Sequence, residues 1–315
     1  MTPKERAVAA LTLQTPDFVP TFELEFQLEE EMFGKKFITD EIHPNNIHKL
    51  SQKEKEKKLY EAAVYMADVY TKLEYSIIPG YGPDDKNGSL ELFLKYLREI
   101  IGDTMMIGYH GDGTYSIPSG ERMYEFSYAL VDDPDGMKKR AEEMANAAIE
   151  RNKRHQEMGI DCMLLCSDYC YNSGPFLDPE MFSEFITPYL AKIIDAAKKD
   201  GLYTIKHTDG NIMPILDQLV ECKPHAIHSI DPMAGVDIRE VKRLVGDKVC
   251  LCGNVHCAAL QTGTDQDVID SAEYCLTYGK PGGGYIYCTS NVPFRGMDPD
   301  RYRLVQDVWK RMRDY

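Results

Sequence analysis

The second half of the chain alternates between short apolar runs and longer amphipathic stretches, and this alternation restricts the fold more than any other feature. Each apolar run is followed by a turn of Gly, Asp, Asn or Pro and then by a stretch of helical periodicity. The predicted strands are residues 162–166, 202–206, 226–230, 249–252 and 285–288. The predicted helices lie near residues 179–199, 212–221, 237–244, 265–278 and 299–313. Because strands separated by helices run parallel, the sequence predicts an α/β fold.

A closed (β/α)₈ barrel of the TIM type is the architecture that best fits the length of the chain. Its 315 residues fall within the range of a single α/β barrel, and no linker or repeat divides them, so we expect one domain over residues 1–315. Further strands are predicted at residues 18–23 and 74–79. The Gly-rich and Tyr-rich residues 102–128 predict a β-hairpin excursion in the N-terminal half. An open doubly wound sheet is the alternative architecture.

Composition excludes several classes of function. The net charge of −15 repels phosphate backbones and anionic lipids, so we expect neither nucleic-acid binding nor membrane binding. No segment approaches the roughly 20 apolar residues that span a bilayer, and the polar start is unlike a secretory signal. An odd number of cysteines, nine, does not indicate a disulfide framework. These features predict a cytoplasmic protein.

Reactive side chains are expected where the parallel strands end, because barrel enzymes place their active sites at that face. His207 and Asp209 follow one predicted strand and lie two positions apart, whereas Cys288 ends the last one. An imidazole, a carboxylate and a thiolate together would suit Zn²⁺ and leave a fourth position open. The sequence therefore suggests His207, Asp209 and Cys288 as metal ligands, with Cys252 as the alternative to Asp209. In the structural alternative, the cysteines are core residues and the histidine bonds a carbonyl.

Two further carboxylates follow predicted strands. Asp168 and Asp231 each come after an apolar run, so either could be a general acid, a ligand or a partner that orients His207. We take Asp168, His207 and Asp231 as the candidate catalytic residues, although an Asp in this position is also a common helix cap. Near the start, Glu23 and Glu25 lie on one face of a predicted strand, and that face points either into the barrel or to solvent.

Several segments, taken in their order and spacing, resemble the uroporphyrinogen-decarboxylase superfamily. They are residues 2–6, 17–20, 174–182, 188–190, 207–211, 253–255, 281–285 and 291–293. The resemblance implies a (β/α)₈ barrel. Decarboxylases of the superfamily carry an N-terminal Arg-rich motif that clamps carboxylates, whereas residues 20–26 here contain Glu23 and Glu25. That departure argues against decarboxylation of a porphyrinogen.

The corrinoid-linked methyltransferase branch is the part of the superfamily that the chain resembles more. Its members bind zinc through an H-x-C motif and a distant Cys near the last strand. The matching positions are His207, Asp209 and Cys288, with Asp209 replacing a Cys. A His/Asp/Cys site is harder and more Lewis acidic than a thiolate-rich one, so it would better polarise the oxygen of a methyl ether.

The resemblance therefore implies a zinc-dependent methyltransferase that moves a methyl group from an O-methyl or N-methyl small-molecule donor to cobalt. No D-x-H-x-x-G cobalamin motif occurs in the sequence, so the cobalamin is expected on a separate corrinoid protein. Asn254 and Tyr287 are the residues expected to contact that cofactor. The alternatives are a methyl-corrinoid:thiol methyltransferase, a uroporphyrinogen-decarboxylase-like decarboxylase and a catalytically silent ligand-binding barrel. By analogy with the decarboxylases, a homodimer is expected.

Overall fold

A sheet of seven parallel strands forms the centre of the protein. The computed structural model describes residues 1–80, 82–83 and 88–315. The strands of the sheet, in spatial order, are β1 (Ile77–Ile78), β2 (Met106–His110), β3 (Cys162–Leu165), β6 (Tyr203–His207), β7 (Ala226–His228), β8 (Cys250–Val255) and β9 (Tyr285–Thr289). A separate antiparallel hairpin pairs β4 (Cys170–Tyr171) with β5 (Gly174–Pro175). The five strands predicted in the second half all lie in this sheet, within a few residues of their predicted bounds.

The N-terminal segment lies between the two edges of the sheet. Thr21 forms a parallel bridge with Tyr287 of β9, and the Tyr287 amide donates to the Pro20 carbonyl at 2.9 Å. On its other side, the Ser76 amide next to β1 donates to the Thr21 carbonyl at 2.8 Å. The sheet is therefore curled, and an α/β fold is confirmed. Seven regular strands and this irregular segment stand where eight strands were predicted.

The helices cover the outside of the sheet. They are α1 (Pro3–Leu11), α2 (Glu29–Phe33), α3 (Gln52–Lys72), α4 (Ser89–Ile101), α5 (Arg122–Asp132), α6 (Pro134–Glu157), α7 (Pro179–Phe185), α8 (Thr187–Lys199), α9 (Leu216–Glu221), α10 (Ile238–Val245), α11 (Cys257–Thr262), α12 (Asp265–Gly279) and α13 (Pro299–Met312). The helix predicted at residues 179–199 is divided at Ile186, because Pro188 has no N–H to donate to the preceding turn. No helix in the described ranges has both the length and the apolar character needed to cross a bilayer.

The predicted hairpin at residues 102–128 is wrong. These residues contain β2, which pairs in parallel with β1 and β3, and the start of α5 at Arg122. Met106 and Ile107 are fully buried, as expected for a central strand covered on both faces. The abundance of Gly and Tyr suggested a turn, but Gly108 lies within β2, where an added Cβ would lie 3.3 Å from a Leu164 methyl. The glycine thus serves close strand packing.

Candidate active site

Three side chains of ligand type converge at the carboxyl ends of β3 and β6. His207 is the last residue of β6, Asp209 follows it, and Asp168 follows β3, which pairs with β6. His207 Nε2 lies 3.6 Å from Asp168 Oδ1 and 3.7 Å from Asp209 Oδ1. Among the described residues, this is the one group of three or more His, Cys, Asp or Glu residues whose ligand atoms lie within 4.8 Å of one another. We call Asp168, His207 and Asp209 the acidic triad.

Hydrogen bonds fix the position of Asp209 within the acidic triad. Ser229 Oγ donates to Asp209 Oδ1 at 2.8 Å, and Asn291 Nδ2 donates to Asp209 Oδ2 at 2.5 Å. The Asp209 amide in turn donates to Asp168 Oδ1 at 3.1 Å. The carboxylate is therefore held by residues that follow two different strands, β7 and β9. The sequence analysis assigned no role to Ser229 or to Asn291, although residues 291–293 are among the segments that carry the family resemblance.

His207 is held from behind by a second histidine. The register of β6 and β7 pairs His207 with His228, and their Nδ1 atoms lie 2.8 Å apart. Burial, together with the nearby Lys206 and His110, lowers the pKa of His207 to about 3. Burial also lowers the pKa of His228 well below its usual value. Both rings are therefore neutral at physiological pH, so His207 Nε2 can offer a lone pair to a cation. His228 was missed, although both histidines end neighbouring strands.

The carboxyl group of Asp209 titrates in the neutral range. Its burial raises the pKa to about 7, and the charges of Asp168 and Asp231 contribute in the same direction, against the Ser229 hydrogen bond. Ionisation of Asp209 would place a further negative charge beside Asp168 and Asp231 in a half-buried setting, which is unfavourable. A cation bound within the acidic triad would relieve this repulsion.

A cavity of about 390 Å³ opens beside the acidic triad. Asp209 and Asp231 form part of its wall. The other lining residues are Asn172, Met233, Cys257, Ala258, Gln261, Ser290, Asn291, Val292, Phe294 and Met297. Mostly apolar walls with a few convergent polar groups are typical of a small-molecule site. The cavity is thus the candidate substrate pocket.

Asp231 caps a short helical turn, one of the roles that the sequence left open, and its carboxylate also lies on the cavity wall. Its Oδ1 accepts from the Met233 amide at 2.9 Å, which caps a short turn of 3₁₀ helix. Its Oδ2 accepts from the Gly210 amide at 3.1 Å, which ties Asp231 to the loop that carries Asp209. The same carboxylate lies on the cavity wall and outside the acidic triad. The hydrogen bonds of Asp231 therefore fix a carboxylate on the cavity wall, where it could act as an acid or a base.

The structure brings together His207 and Asp209 but leaves Cys288 outside the acidic triad. Cys288 and Cys252 are fully buried within β9 and β8. The Cys288 thiol is fully buried, and it does not belong to the group of ligand atoms formed by the acidic triad. Burial raises the pKa of the Cys288 thiol well above its usual value, which disfavours the thiolate that a metal requires. Asp168, which the sequence predicted as a catalytic residue, is the third member of the acidic triad.

Asn254 and Tyr287 are both engaged in contacts away from the cavity. The Tyr287 hydroxyl donates to the Val305 carbonyl of α13 at 3.0 Å, so its ring faces the helical layer. Asn254 Nδ2 donates to the Ile230 carbonyl at 2.7 Å, and its Oδ1 accepts from Cys275 Sγ of α12. Neither residue lines the cavity beside the acidic triad.

The two glutamates near the start have different surroundings. Glu23 is fully buried, and its Oε2 accepts hydrogen bonds from the amide and hydroxyl of Thr289 at 3.1 and 2.5 Å. Its Oε1 accepts from the Tyr302 hydroxyl at 3.2 Å. Burial raises the pKa of Glu23 to about 8. Glu25 is only partly buried, and its Oε1 lies 3.6 Å from His110 Nε2. Glu23 is therefore a structural residue.

Comparisons with known proteins agree with this fold. Residues 114–309 match the sequence model of the family described as Uroporphyrinogen decarboxylase (URO-D). The chain is 22% identical over 251 residues to a uroporphyrinogen decarboxylase from Colwellia psychrerythraea, which covers 74% of this chain and 67% of that protein. It is 24% identical over 226 residues to the one from Photobacterium profundum, covering 65% of this chain and 60% of that protein. The match thus spans about two thirds or less of each relative's own length.

A solved structure extends the likeness over the whole fold. A methyltransferase from Methanosarcina mazei superposes with a TM-score of 0.75 and covers 99% of both chains, at 17% sequence identity. Such low identity shows a shared fold and no more.

Proposed function

Since a family model matches well over half of its length, the chain belongs to the uroporphyrinogen decarboxylase family, and we propose that within this family it is a metal-dependent methyltransferase. The reaction moves a methyl group from an O-methyl or N-methyl small-molecule donor to the cobalt of a separate corrinoid protein. The observation that carries the proposal is the acidic triad at the edge of a cavity of about 390 Å³.

The acidic triad fits a zinc ion. Tetrahedral Zn²⁺ with bonds of 2.0–2.2 Å places its ligand atoms about 3.4 Å apart. The distances from His207 Nε2 to the two carboxylates, 3.6 and 3.7 Å, are close to this value. Asp168, His207 and Asp209 would hold the ion and leave a fourth position open to a donor. Cys288, which the sequence suggested as a ligand, gains no support from its position.

Zinc bound by one imidazole and two carboxylates is a hard Lewis acid that withdraws electron density from a coordinated oxygen or nitrogen atom. The residues around the cavity would provide substrate binding and proton transfer. Met233, Phe294 and Met297 form apolar walls that would accommodate the methyl-bearing part of the donor. Asp231 faces the same cavity from outside the acidic triad, with its carboxylate held by two backbone amides. From there it is placed to accept a proton from solvent and pass it to the demethylated product.

A porphyrinogen decarboxylase is the less supported alternative. Binding of several substrate carboxylates calls for Arg or Lys side chains. None of the described residues that line the cavity is Arg or Lys, while two are Asp. At the position of the Arg-rich motif, Glu23 is buried against Thr289 and Tyr302. The cavity is thus better suited to a neutral or cationic ligand.

The corrinoid would come with a partner protein. The acidic triad and the cavity lie together at the carboxyl ends of the strands, so that partner would dock over this face of the sheet. A transfer in the opposite direction, from a methylated corrinoid to a thiol, is the remaining enzymatic alternative. It would require a thiolate substrate to bind the same metal.

A methyl-transfer assay tests the proposal. The zinc-loaded protein is incubated with a panel of methyl ethers and methylamines and a corrinoid protein that carries reduced cobalt, and cobalt methylation is followed by visible absorption. We expect transfer from at least one donor, lost in Asp168→Asn and retained in Asp195→Asn, a control in the exposed carboxylate of α8. Methylation of a thiol by the methylated corrinoid, without the forward reaction, would instead favour the opposite direction.

A further inference from the structure

We propose that His228 is a positioning residue that determines which ring nitrogen of His207 is available to a metal. This inference rests on the metal site of the proposed function. It starts from the register of β6 and β7, which places the two histidines side by side at the ends of neighbouring strands. Their Nδ1 atoms lie 2.8 Å apart, and the His228 side chain is completely buried.

A hydrogen bond between two Nδ1 atoms can form in only two ways. A neutral imidazole carries one N–H, so one ring must donate from Nδ1 and the other must accept there. If His228 donates, His207 carries its own proton on Nε2, and that N–H faces Asp168 and Asp209 at 3.6 and 3.7 Å. If His207 donates, its Nε2 bears a free lone pair directed at the same carboxylates. Only the second arrangement allows His207 to bind a metal.

The surroundings favour a different arrangement in each state. Without a cation, an N–H of His207 directed at the Asp168 carboxylate is favourable, whereas a lone pair there is repelled. With a cation in the acidic triad, the proton of His207 must move from Nε2 to Nδ1. His228 Nδ1 must then accept the hydrogen bond. We therefore infer that metal binding reverses the direction of the hydrogen bond between the two histidines.

The far side of His228 makes this reversal costly. His228 Nε2 is buried and has no hydrogen-bond partner among the described residues. In the metal-binding arrangement this atom carries the proton of His228, and a buried N–H without an acceptor is unfavourable. Ordinary metal-binding histidines donate their second N–H to a carboxylate or a carbonyl, which carries no such cost. His228 therefore accepts a hydrogen bond from His207 only when a metal is bound, and donates one to His207 when it is absent.

Substitution of His228 separates this role from packing. In His228→Asn the amide oxygen takes nearly the position of Nδ1 and can accept from His207. In His228→Leu the apolar volume is largely kept, but no acceptor remains. Loss of a partner behind a metal-binding histidine typically lowers metal affinity by about 10–100-fold. We expect that loss for His228→Leu, and affinity within about threefold of wild type for His228→Asn.

His225→Leu is the matched control. His225 immediately precedes β7, at the opposite end of the strand from the acidic triad. Its Nδ1 accepts from the Thr204 amide at 3.0 Å, so the substitution also removes a histidine hydrogen bond beside the same strand. We expect any effect on folding to be shared with His228→Leu, while metal affinity is unchanged.

The experiment is a titration of the full chain with Co²⁺, which replaces Zn²⁺ and reports its coordination by visible absorption. It is paired with ¹⁵N spectra of both histidine rings in metal-free and Zn²⁺-loaded protein. The expected result is weak Co²⁺ binding in His228→Leu alone, with the His207 proton moving from Nε2 to Nδ1 when Zn²⁺ binds. The ring spectra of wild type test the inference even if His228→Leu does not fold.

Two outcomes would overturn the inference, and they are distinguishable. If His228→Leu binds Co²⁺ as tightly as wild type while His207→Ala does not bind it, the role of His228 is refuted and the metal site stands. If folded wild type and all variants fail to bind Co²⁺, the metal assignment of the proposed function fails, and this inference fails with it.

Discussion

At the scale of single residues, the site combines the neutral imidazole of His207 with the carboxyl group of Asp209, whose ionisation is costly. Burial keeps His207 neutral, so at physiological pH its ring carries a single proton, which leaves Nε2 free for a metal when it lies on Nδ1. The same burial makes Asp209 reluctant to ionise in the absence of a cation. The affinity of the acidic triad for a metal should therefore depend on the proton of Asp209.

Metal affinity should rise with pH up to about 7 and then level off. Burial first, and then Asp168 and Asp231, raise the pKa of Asp209 to about 7, and the protonated carboxyl group cannot bind a metal. Below this pH each unit should lower the apparent affinity by about tenfold. Co²⁺ titrations from pH 5.5 to 8.5 measure this profile. Asp209→Asn should bind weakly without the change of slope near pH 7, and a flat profile in wild type would contradict the assignment.

At the scale of secondary-structure elements, the loops after β3, β6 and β7 carry the site, and close backbone packing fixes them. Gly210 has φ of +82°, and a Cβ added there would lie 2.7 Å from the Tyr171 carbonyl oxygen in the hairpin above. Only glycine fits this contact without displacing the loop. The position of Asp209 therefore depends on its neighbour.

Gly210→Ala should weaken metal binding as well as stability. We expect a loss of about 3 kcal/mol in the free energy of unfolding, because positive φ and steric overlap both oppose a side chain. Gly235→Ala is the control, since Gly235 also has positive φ, +74°, but nothing within 4 Å of an added Cβ. It should lose only about 1–2 kcal/mol and keep its metal affinity. Urea unfolding and Co²⁺ titration measure both; equal metal affinity in the two variants would show that the loop is not held by this contact.

The N-terminal segment is joined to β9 and α13 through the buried carboxyl group of Glu23. Burial raises the pKa of Glu23 to about 8, well above its value in an unfolded chain. The folded protein thus holds a proton that the unfolded chain releases, so this contribution to stability is complete below about pH 4 and is lost as the pH rises to 8. Above pH 8 it should change no further.

Glu23→Gln should remove this component of the pH dependence. The amide keeps the size and hydrogen-bonding capacity of the neutral carboxyl group, and it cannot ionise. Urea unfolding of metal-free protein at intervals between pH 5 and 9 should show a smaller decline for the variant than for wild type. Glu99→Gln, which changes an exposed carboxylate of α4, should behave as wild type. Parallel declines in wild type and Glu23→Gln would contradict the raised pKa.

At the scale of the whole molecule, the parallel arrangement explains why the site could be predicted in part. All strands of the curled sheet end at one face, so polar residues after predicted strands had to meet there, as Asp168, His207 and Asp209 do. Alternation along a strand could not show that the buried Cys288 thiol lies outside the acidic triad. It also could not show that Tyr287 faces the helices. Those facts depend on the register and tilt of β9, which the sequence does not reveal locally.

The same limit explains the misassigned residues 102–128 and the missed His228. A central strand that contains glycine looks like a turn until its neighbours are known, and β2 is recognisable only by its pairing with β1 and β3. The contact between His228 and His207 depends on the pairing of their two strands, which are distant in sequence. Contacts between strands distant in sequence therefore account for most of what the sequence did not predict.

The most direct test of a metal-dependent site is the zinc content of the purified protein, measured by elemental mass spectrometry on wild type, His207→Ala and His225→Ala. We expect about one zinc per chain in wild type and in His225→Ala, and almost none in His207→Ala. Folded wild type that contains no zinc and takes up none on incubation, or zinc retained in full by His207→Ala, would contradict the assignment of the acidic triad as the metal site.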